Sequence, residues 1–292
     1  MPTSKQLAIQ AASEVAIAHG LQFQQAIVLQ NLSNVIIHLS PTAIVARVST
    51  MTATQRQGDG WFAREVAVAE YLTQVGAPLV PTSRLITPGP HSHLGVVLSF
   101  WEWVQLVEVL ANALEVGRSL FTCHQALKGF SGDLSVLALL SEAGEILERL
   151  IVQNLIDVTD IMMLRSVSAR SIATLMQFPL QPIHGDAHFG NVLNTIRGVL
   201  WTDWEDVFLG PIEWDLASLV ASSWVFGTEA ARSEMALWGY GNYDAAALSA
   251  CVEARTLVAL VWSIVMHQAN PSPERQFRID RRLEWLRAQT AG

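Results

Sequence analysis

The sequence predicts an α+β fold in two lobes, a small strand-rich lobe over residues 1–100 and a larger, mostly helical lobe over 101–292. Three observations predict it. β-Branched runs crowd the first hundred residues, helical spacing of apolar residues takes over after Trp101, and a dense polar cluster in the second part runs into a short hairpin pattern. The length agrees: 292 residues is long for one compact domain, and 51% hydrophobic content with ten tryptophans can fill sizeable cores.

Taken in order, MPTSKQLAIQAASEVAIAHG reads as an amphipathic helix and lacks the basic start, apolar block and cleavage site of a secretion signal. NVIIHLS (34–40) and AIVARVS (43–49), joined by Pro41 and Thr42, read as a hairpin-like pair of strands. TATQRQGDG (52–60) is polar and reads as a flexible stretch. In WFAREVAVAEYLTQVG (61–76), Phe62, Val66, Ala69 and Leu72 recur at helical spacing. The Pro- and Gly-rich connection 76–90 leads to a buried strand, GVVLSF (95–100), and a short hinge is expected at 101–104. Helical patterns follow over 113–127 and 139–166, and helices return in the C-terminal third.

Composition argues against several classes. No apolar run approaches the roughly 20 residues of a membrane span, and LVALVWSIVM (257–266), flanked by Arg255 and His267, reads as a buried helix. A net charge of −8 without a basic stripe speaks against nucleic acid as a partner. Cys123 and Cys251 are too few for a disulfide framework, which fits a cytoplasmic protein.

The informative stretch is IHGDAHFGNVLN (183–194), continued by VLNT (192–195), a turn at 196–198 and VLWT (199–202). Two short antiparallel strands carry the chain out about 13 Å and back, so Asp203 is expected beside Asn191 and near Asp186. An Asp carboxylate and an Asn amide are hard oxygen ligands suited to Mg²⁺ shared with phosphate oxygens. Asp186 is then left to accept a proton from a substrate hydroxyl, the arrangement of kinase-type phosphoryl transfer.

His184-Gly185-Asp186, Asn191, Asp203-Trp204, Gly210-Pro211 and Asp215-Leu216-Ala217 fall in this order over about 35 residues. The segment resembles the aminoglycoside phosphotransferase/choline kinase family. The resemblance implies a protein-kinase-like fold, ATP (or GTP) and Mg²⁺ as cofactors, and Asp186 as the catalytic base. It also implies Asn191 and Asp203 as metal ligands, with His184, His188 and Asp215 as structural support of the site. Taken singly, each histidine would be read as structural; the ensemble points to phosphotransfer. A zinc hydrolase built on His184, Asp186 and His188 is a rival, but downstream only His267 remains, isolated in an apolar helix.

A nucleotide site of this kind also needs a cation on a strand, a Glu on the following helix and a loop over the phosphates. Arg47 stands where the family usually places Lys. Glu65 shares the inward face of its helix with Phe62 and Ala69, which is costly unless it is paired, and Arg47 is the available partner. No glycine occurs between Leu21 and Gln57, so Ser33 and Asn34, after Leu32, are expected to form the covering turn. Trp101, Glu102 and Trp103 of the hinge are expected to offer backbone groups to adenine.

The expected function is therefore Mg²⁺-dependent transfer of the ATP γ-phosphate to a hydroxyl of an aminoglycoside-, amino-alcohol- or sugar-like molecule. A catalytically weak nucleotide-binding module of the same fold is the alternative, with the metallohydrolase behind it. Asp203, Glu205, Asp206, Glu213 and Asp215, with no basic residue in 201–215, suit a cationic acceptor by steering, or equally a metal site and a solvated acidic turn.

Overall fold

The computed structural model describes residues 4–32, 34–49 and 60–290. Ser33 and most of the polar stretch 52–60 lie outside them. Internal contacts divide the chain into two units. The first holds Met1–Ala111, Phe130–Gly132 and Val192–Asp206; the second holds Asn112–Gly129, Asp133–Asn191 and Val207–Gly292.

The first unit is built on an antiparallel sheet of five strands in the order β1-β2-β3-β5-β4. Its strands are β1 (Gln25–Asn31), β2 (Asn34–Ser40), β3 (Ile44–Ser49), β4 (His91–His93) and β5 (Val96–Glu102). Successive side chains of a strand point to opposite faces. Val35, Ile37 and Leu39 of β2 and Ile44, Ala46 and Val48 of β3 therefore join one core, closed by the alanine face of helix α1 (Ser4–Ala18). Arg47 alternates onto the other face of β3. There helix α2 (Gly60–Gln74) brings Trp61, Phe62 and Glu65, all buried. The hairpin of β7 (Val192–Thr195) and β8 (Gly198–Trp201) pairs Val192 with Trp201. It is fastened to the same unit by Trp201 N–H to the Pro78 carbonyl (3.0 Å) and Val107 N–H to the Asn194 carbonyl (2.8 Å).

The second unit is helical. Helix α3 is Ala113–Leu127, α4 is Ala138–Val152 and α5 is Val158–Leu175. The pattern over 139–166 reads as one helical stretch, yet α4 and α5 are separate. Asn154 takes a positive φ of 57° between them. Asp157 then caps α5 by accepting the Thr159 N–H at 2.9 Å, so the new helix starts where an Asx cap supplies an acceptor. Strands β6 (Gln181–Ile183) and β9 (Phe208–Gly210) form a small antiparallel pair, short enough to leave no alternation in the sequence. Helices α6 (Glu213–Phe226), α7 (Ala230–Tyr240), α8 (Ala245–Ala269) and α9 (Pro273–Thr290) complete it. By length and composition α8 could cross a membrane, but 56% of its most apolar window is buried in the protein. Cys251, Leu257, Leu260 and Val261 lie in that buried face, which marks a core helix.

Candidate active site

In the second unit β6 runs straight into the polar loop. Asp215, fully buried near the start of α6, accepts the N–H of His184 at 2.7 Å and of Gly185 at 2.9 Å. His124 Nε2 donates to the same carboxylate at 2.8 Å, and the Tyr240 hydroxyl lies 2.8 Å from His124 Nδ1. A buried carboxylate is costly without donors; here three donors converge on it and fix the loop. Gly185 takes φ +88°, a conformation glycine adopts without a side-chain clash. Its carbonyl accepts from Trp214 Nε1 (2.8 Å) and Arg255 Nη1 (3.1 Å).

The loop so held presents Asp186. Arg255 Nη2 donates to Asp186 Oδ1 at 2.7 Å, and His188 Nε2 lies 3.3 Å from Oδ2. Burial works to raise the Asp186 pKa, but the His188 hydrogen bond and the Arg255 charge outweigh it and hold the carboxyl well below the usual carboxylate range. Asn191, in a single 3₁₀ turn (Phe189–Asn191), donates through Nδ2 to the Asp186 backbone carbonyl at 2.9 Å. The fully buried His184 accepts the Asp186 N–H through Nδ1 at 3.3 Å, so this ring nitrogen serves the loop and not a zinc ion.

In the first unit Arg47 gathers three acids. Nη1 donates to Glu65, and Nη2 donates to Glu205 and, at 2.5 Å, to Asp203. Its guanidinium also stands 5.3 Å from the centre of the Phe62 ring. Burial works against the Arg47 charge, but Asp203, Glu65 and Glu205 keep its pKa above the usual arginine value. Burial pushes the Glu65 carboxyl up to about 7 despite Arg47. It pushes Glu205 up to about 8, with Asp203 and Asp206 adding repulsion. Asp203 sits at φ +67°, in the left-handed region that Asp tolerates better than most residues.

The expected hinge is more committed than the sequence suggests. The N–H groups of Glu102 and Trp103 donate to Pro81 and Ala43, both at 2.9 Å, and Trp101 Nε1 donates to Ser99. An adenine would have to be read by other backbone groups of this stretch. Asn34 is buried at the start of β2, opposite Ser49.

Three acids crowd one guanidinium, and burial shifts Glu65 and Glu205 toward their neutral forms. Asp203 is the most exposed of the three, with a third of its side chain open. Among the described residues no three His, Cys, Asp or Glu side chains are grouped to hold an ion alone. Mg²⁺ ordinarily takes one or two protein oxygens and completes its shell with water and phosphate. The Asp203 carboxylate in the first unit and the Asn191 amide in the second each have the chemistry of such an oxygen ligand.

Sequence reasoning missed Arg255 as a partner of Asp186 and Glu205 as a partner of Arg47. The one available signal for Arg255 is its charge at the head of the apolar stretch of α8, two residues after Glu253.

A strand-rich unit carrying a buried Arg–Glu pair, and a helical unit carrying a braced His-Gly-Asp loop, define a phosphotransferase of protein-kinase-like fold. The chain belongs to the phosphotransferase enzyme family, which it matches over residues 56–249, about two thirds of its length. Among solved structures it is similar to an amicoumacin kinase in complex with AMP-PNP, Ca²⁺ and Ami, with TM-score 0.72 and 14% identity over 96% of this chain and 93% of that one. It is similar to a choline kinase from Streptococcus pneumoniae, with TM-score 0.70 and 13% identity over 95% and 98% of the two chains. A microcompartment-associated aminopropanol kinase gives TM-score 0.69 and 15% identity over 94% of each. Identities this low carry the fold alone. No curated protein sequence matches the chain.

Proposed function

We propose that the protein transfers the γ-phosphate of ATP to a hydroxyl of a small molecule, with Mg²⁺ held by Asn191 and Asp203. The observation that carries this reading is Asp186, an ionised carboxylate fixed by Arg255 and His188 on a loop anchored to Asp215. Asp186 orients the acceptor hydroxyl and takes its proton as the oxygen bonds to phosphorus and the bond to the ADP oxygen breaks. A carboxylate held this acidic is a weak base. Its contribution is therefore mainly orientation, with proton uptake late in the transfer. Arg47, held by Glu65, serves the phosphates from the first unit, and Mg²⁺, when bound, offsets phosphate charge.

GTP is a second candidate donor, and backbone groups of 101–104 are proposed to meet the base. Placement in the cytoplasm belongs to the same reading, supported by the two buried free thiols, Cys123 and Cys251.

The test is a coupled kinase screen of the purified protein with ATP and GTP against amino-alcohols, sugars, hydroxy-acids and aminoglycosides. Mg·ATP is expected to bind with Kd on the order of 0.1–1 mM, about 4–5.5 kcal/mol. Binding without transfer to any acceptor would favour a nucleotide-binding module; no binding of either nucleotide would overturn both readings.

A further inference from the structure

The sheet of the first unit carries two rows of side chains on the face away from α1. Strand register sets Gln30, Ile36, Arg47 and Ser99 side by side, one each from β1, β2, β3 and β5. Two residues back along β3, about 7 Å, a second row holds Ile27, His38, Val45 and Trp101. The bulge in β1 between Val28 and Gln30 keeps Ile27 and Gln30, three residues apart, on this one face. The first row bears the cation and the second is aliphatic and aromatic.

Trp103 extends the second row. It continues the alternation of Ser99 and Trp101 past the end of β5, and its ring stacks on His38 with centroids 5.5 Å apart and planes 25° from parallel. Both partners are held from the β2–β3 turn. His38 Nε2 donates to the Thr42 carbonyl at 2.7 Å, and the Trp103 N–H donates to the Ala43 carbonyl at 2.9 Å. Val45 and Trp101 are buried, yet Trp103 remains 39% exposed and Ile27 42% exposed. An indole fixed in orientation and open on its surface has the form of a stacking platform.

We propose that Trp103, backed by His38, is the platform on which the nucleobase stacks, with Ile27 on the same row. Arg47 serves the phosphates from the neighbouring row, and a ribose bridges the gap. The Glu102 and Trp103 N–H groups are already given to Pro81 and Ala43. The base is therefore gripped by its π-face more than by its edge. Every purine has such a face, so ATP and GTP are bound with little discrimination. The inference rests on the phosphotransferase reading and names what holds the base in its nucleotide site.

The test follows Mg·ATP, Mg·GTP and Mg·tripolyphosphate by ligand-observed NMR titration of the full chain as parent, Trp103→Leu and Trp103→Phe. The parent is expected to bind ATP and GTP within about threefold of each other, with the purine protons moved upfield by the ring beneath them. Trp103→Leu is expected to weaken both nucleotides by roughly tenfold or more, the effect of one lost base–aromatic stack. Its Mg·tripolyphosphate affinity should stay at the parental value, which also shows that the variant is folded. Trp103→Phe keeps a ring and should recover most of the affinity and of the upfield shift. Parental ATP affinity in Trp103→Leu overturns the platform. So does loss of tripolyphosphate binding in step with ATP, which would make Trp103 a support of the fold. A preference for either purine beyond about tenfold overturns it too, because a π-face alone does not discriminate so strongly. Nucleotides that bind through Trp103 while no acceptor is phosphorylated remove the transferase reading and leave the base platform standing.

Discussion

Replacing Arg255 by Met removes the two hydrogen bonds that tie α8 to the loop, at 2.7 Å to Asp186 Oδ1 and 3.1 Å to the Gly185 carbonyl. A hydrogen bond to a charged group contributes about 1.5–3 kcal/mol. The Asp186 side chain is 30% exposed, so water recovers part of the loss and a stability cost near the lower end, about 1.5 kcal/mol, is expected. Turnover should suffer more, because Asp186 keeps its charge but loses its aim. A transition-state loss of about 1.4–2.7 kcal/mol corresponds to a roughly 10–100-fold fall in kcat. The sign of the pH effect is fixed by the geometry. Arg255 holds the carboxyl in its ionised form, so without it the acid limb of the kcat profile should begin at higher pH. The assay is kcat, KM and Mg·ATP affinity against pH for parent, Arg255→Met and Arg255→Lys, with urea melts alongside. Lys restores a charge without the fork and should recover only part of kcat. A variant with parental kcat and an unmoved acid limb would refute the reasoning and leave Arg255 a packing residue.

Three further outcomes rest on other contacts of the two units. Asp215→Asn replaces an oxygen that accepts N–H donors by an amide that repels one, and should destabilise the second unit by about 3 kcal/mol in chemical denaturation. Gly117→Ala places a methyl where its carbon would stand 1.9 Å from the Ala236 carbonyl oxygen, so α3 and α7 must separate; a fall in Tm of several degrees is expected. Glu65 has a folded pKa of about 7 against an ordinary 4.5, so its contribution to stability is present below the lower value and lost as pH rises through the upper. Without Mg²⁺ the parent should lose stability between pH 5 and 8, and Glu65→Gln should flatten that dependence.

Much of this was readable before any coordinates, and for local reasons. NVIIHLS became β2 residue for residue, and the spacing of Phe62, Val66, Ala69 and Leu72 marked the buried face that carries Glu65 inward to Arg47. The turn between VLNT and VLWT closed as a hairpin because Gly198 takes φ +96° there. What stayed hidden depends on partners distant in sequence. Arg255 meets Asp186 across 69 positions, and a charge at the head of an apolar stretch does not say which residue it meets. Glu205 reads as one more surface acid until β8 delivers it to Arg47. The acids of 201–215 were legible as a charge run, but their direction was not. Three-residue strands such as β6 and β9 exist through their pairing with each other and leave no pattern to detect.

The central claim is that Asp186 acts on the acceptor and not on the nucleotide. Its most direct test is Mg·ATP affinity by calorimetry together with kcat on an identified acceptor, for parent and Asp186→Asn. Affinity within about twofold of the parent and a fall in kcat of roughly 10²–10⁴ are predicted, for loss of the charge that orients the acceptor hydroxyl and takes up its proton late in the transfer. Equal turnover of the two proteins, or loss of Mg·ATP binding in step with turnover, would contradict the account.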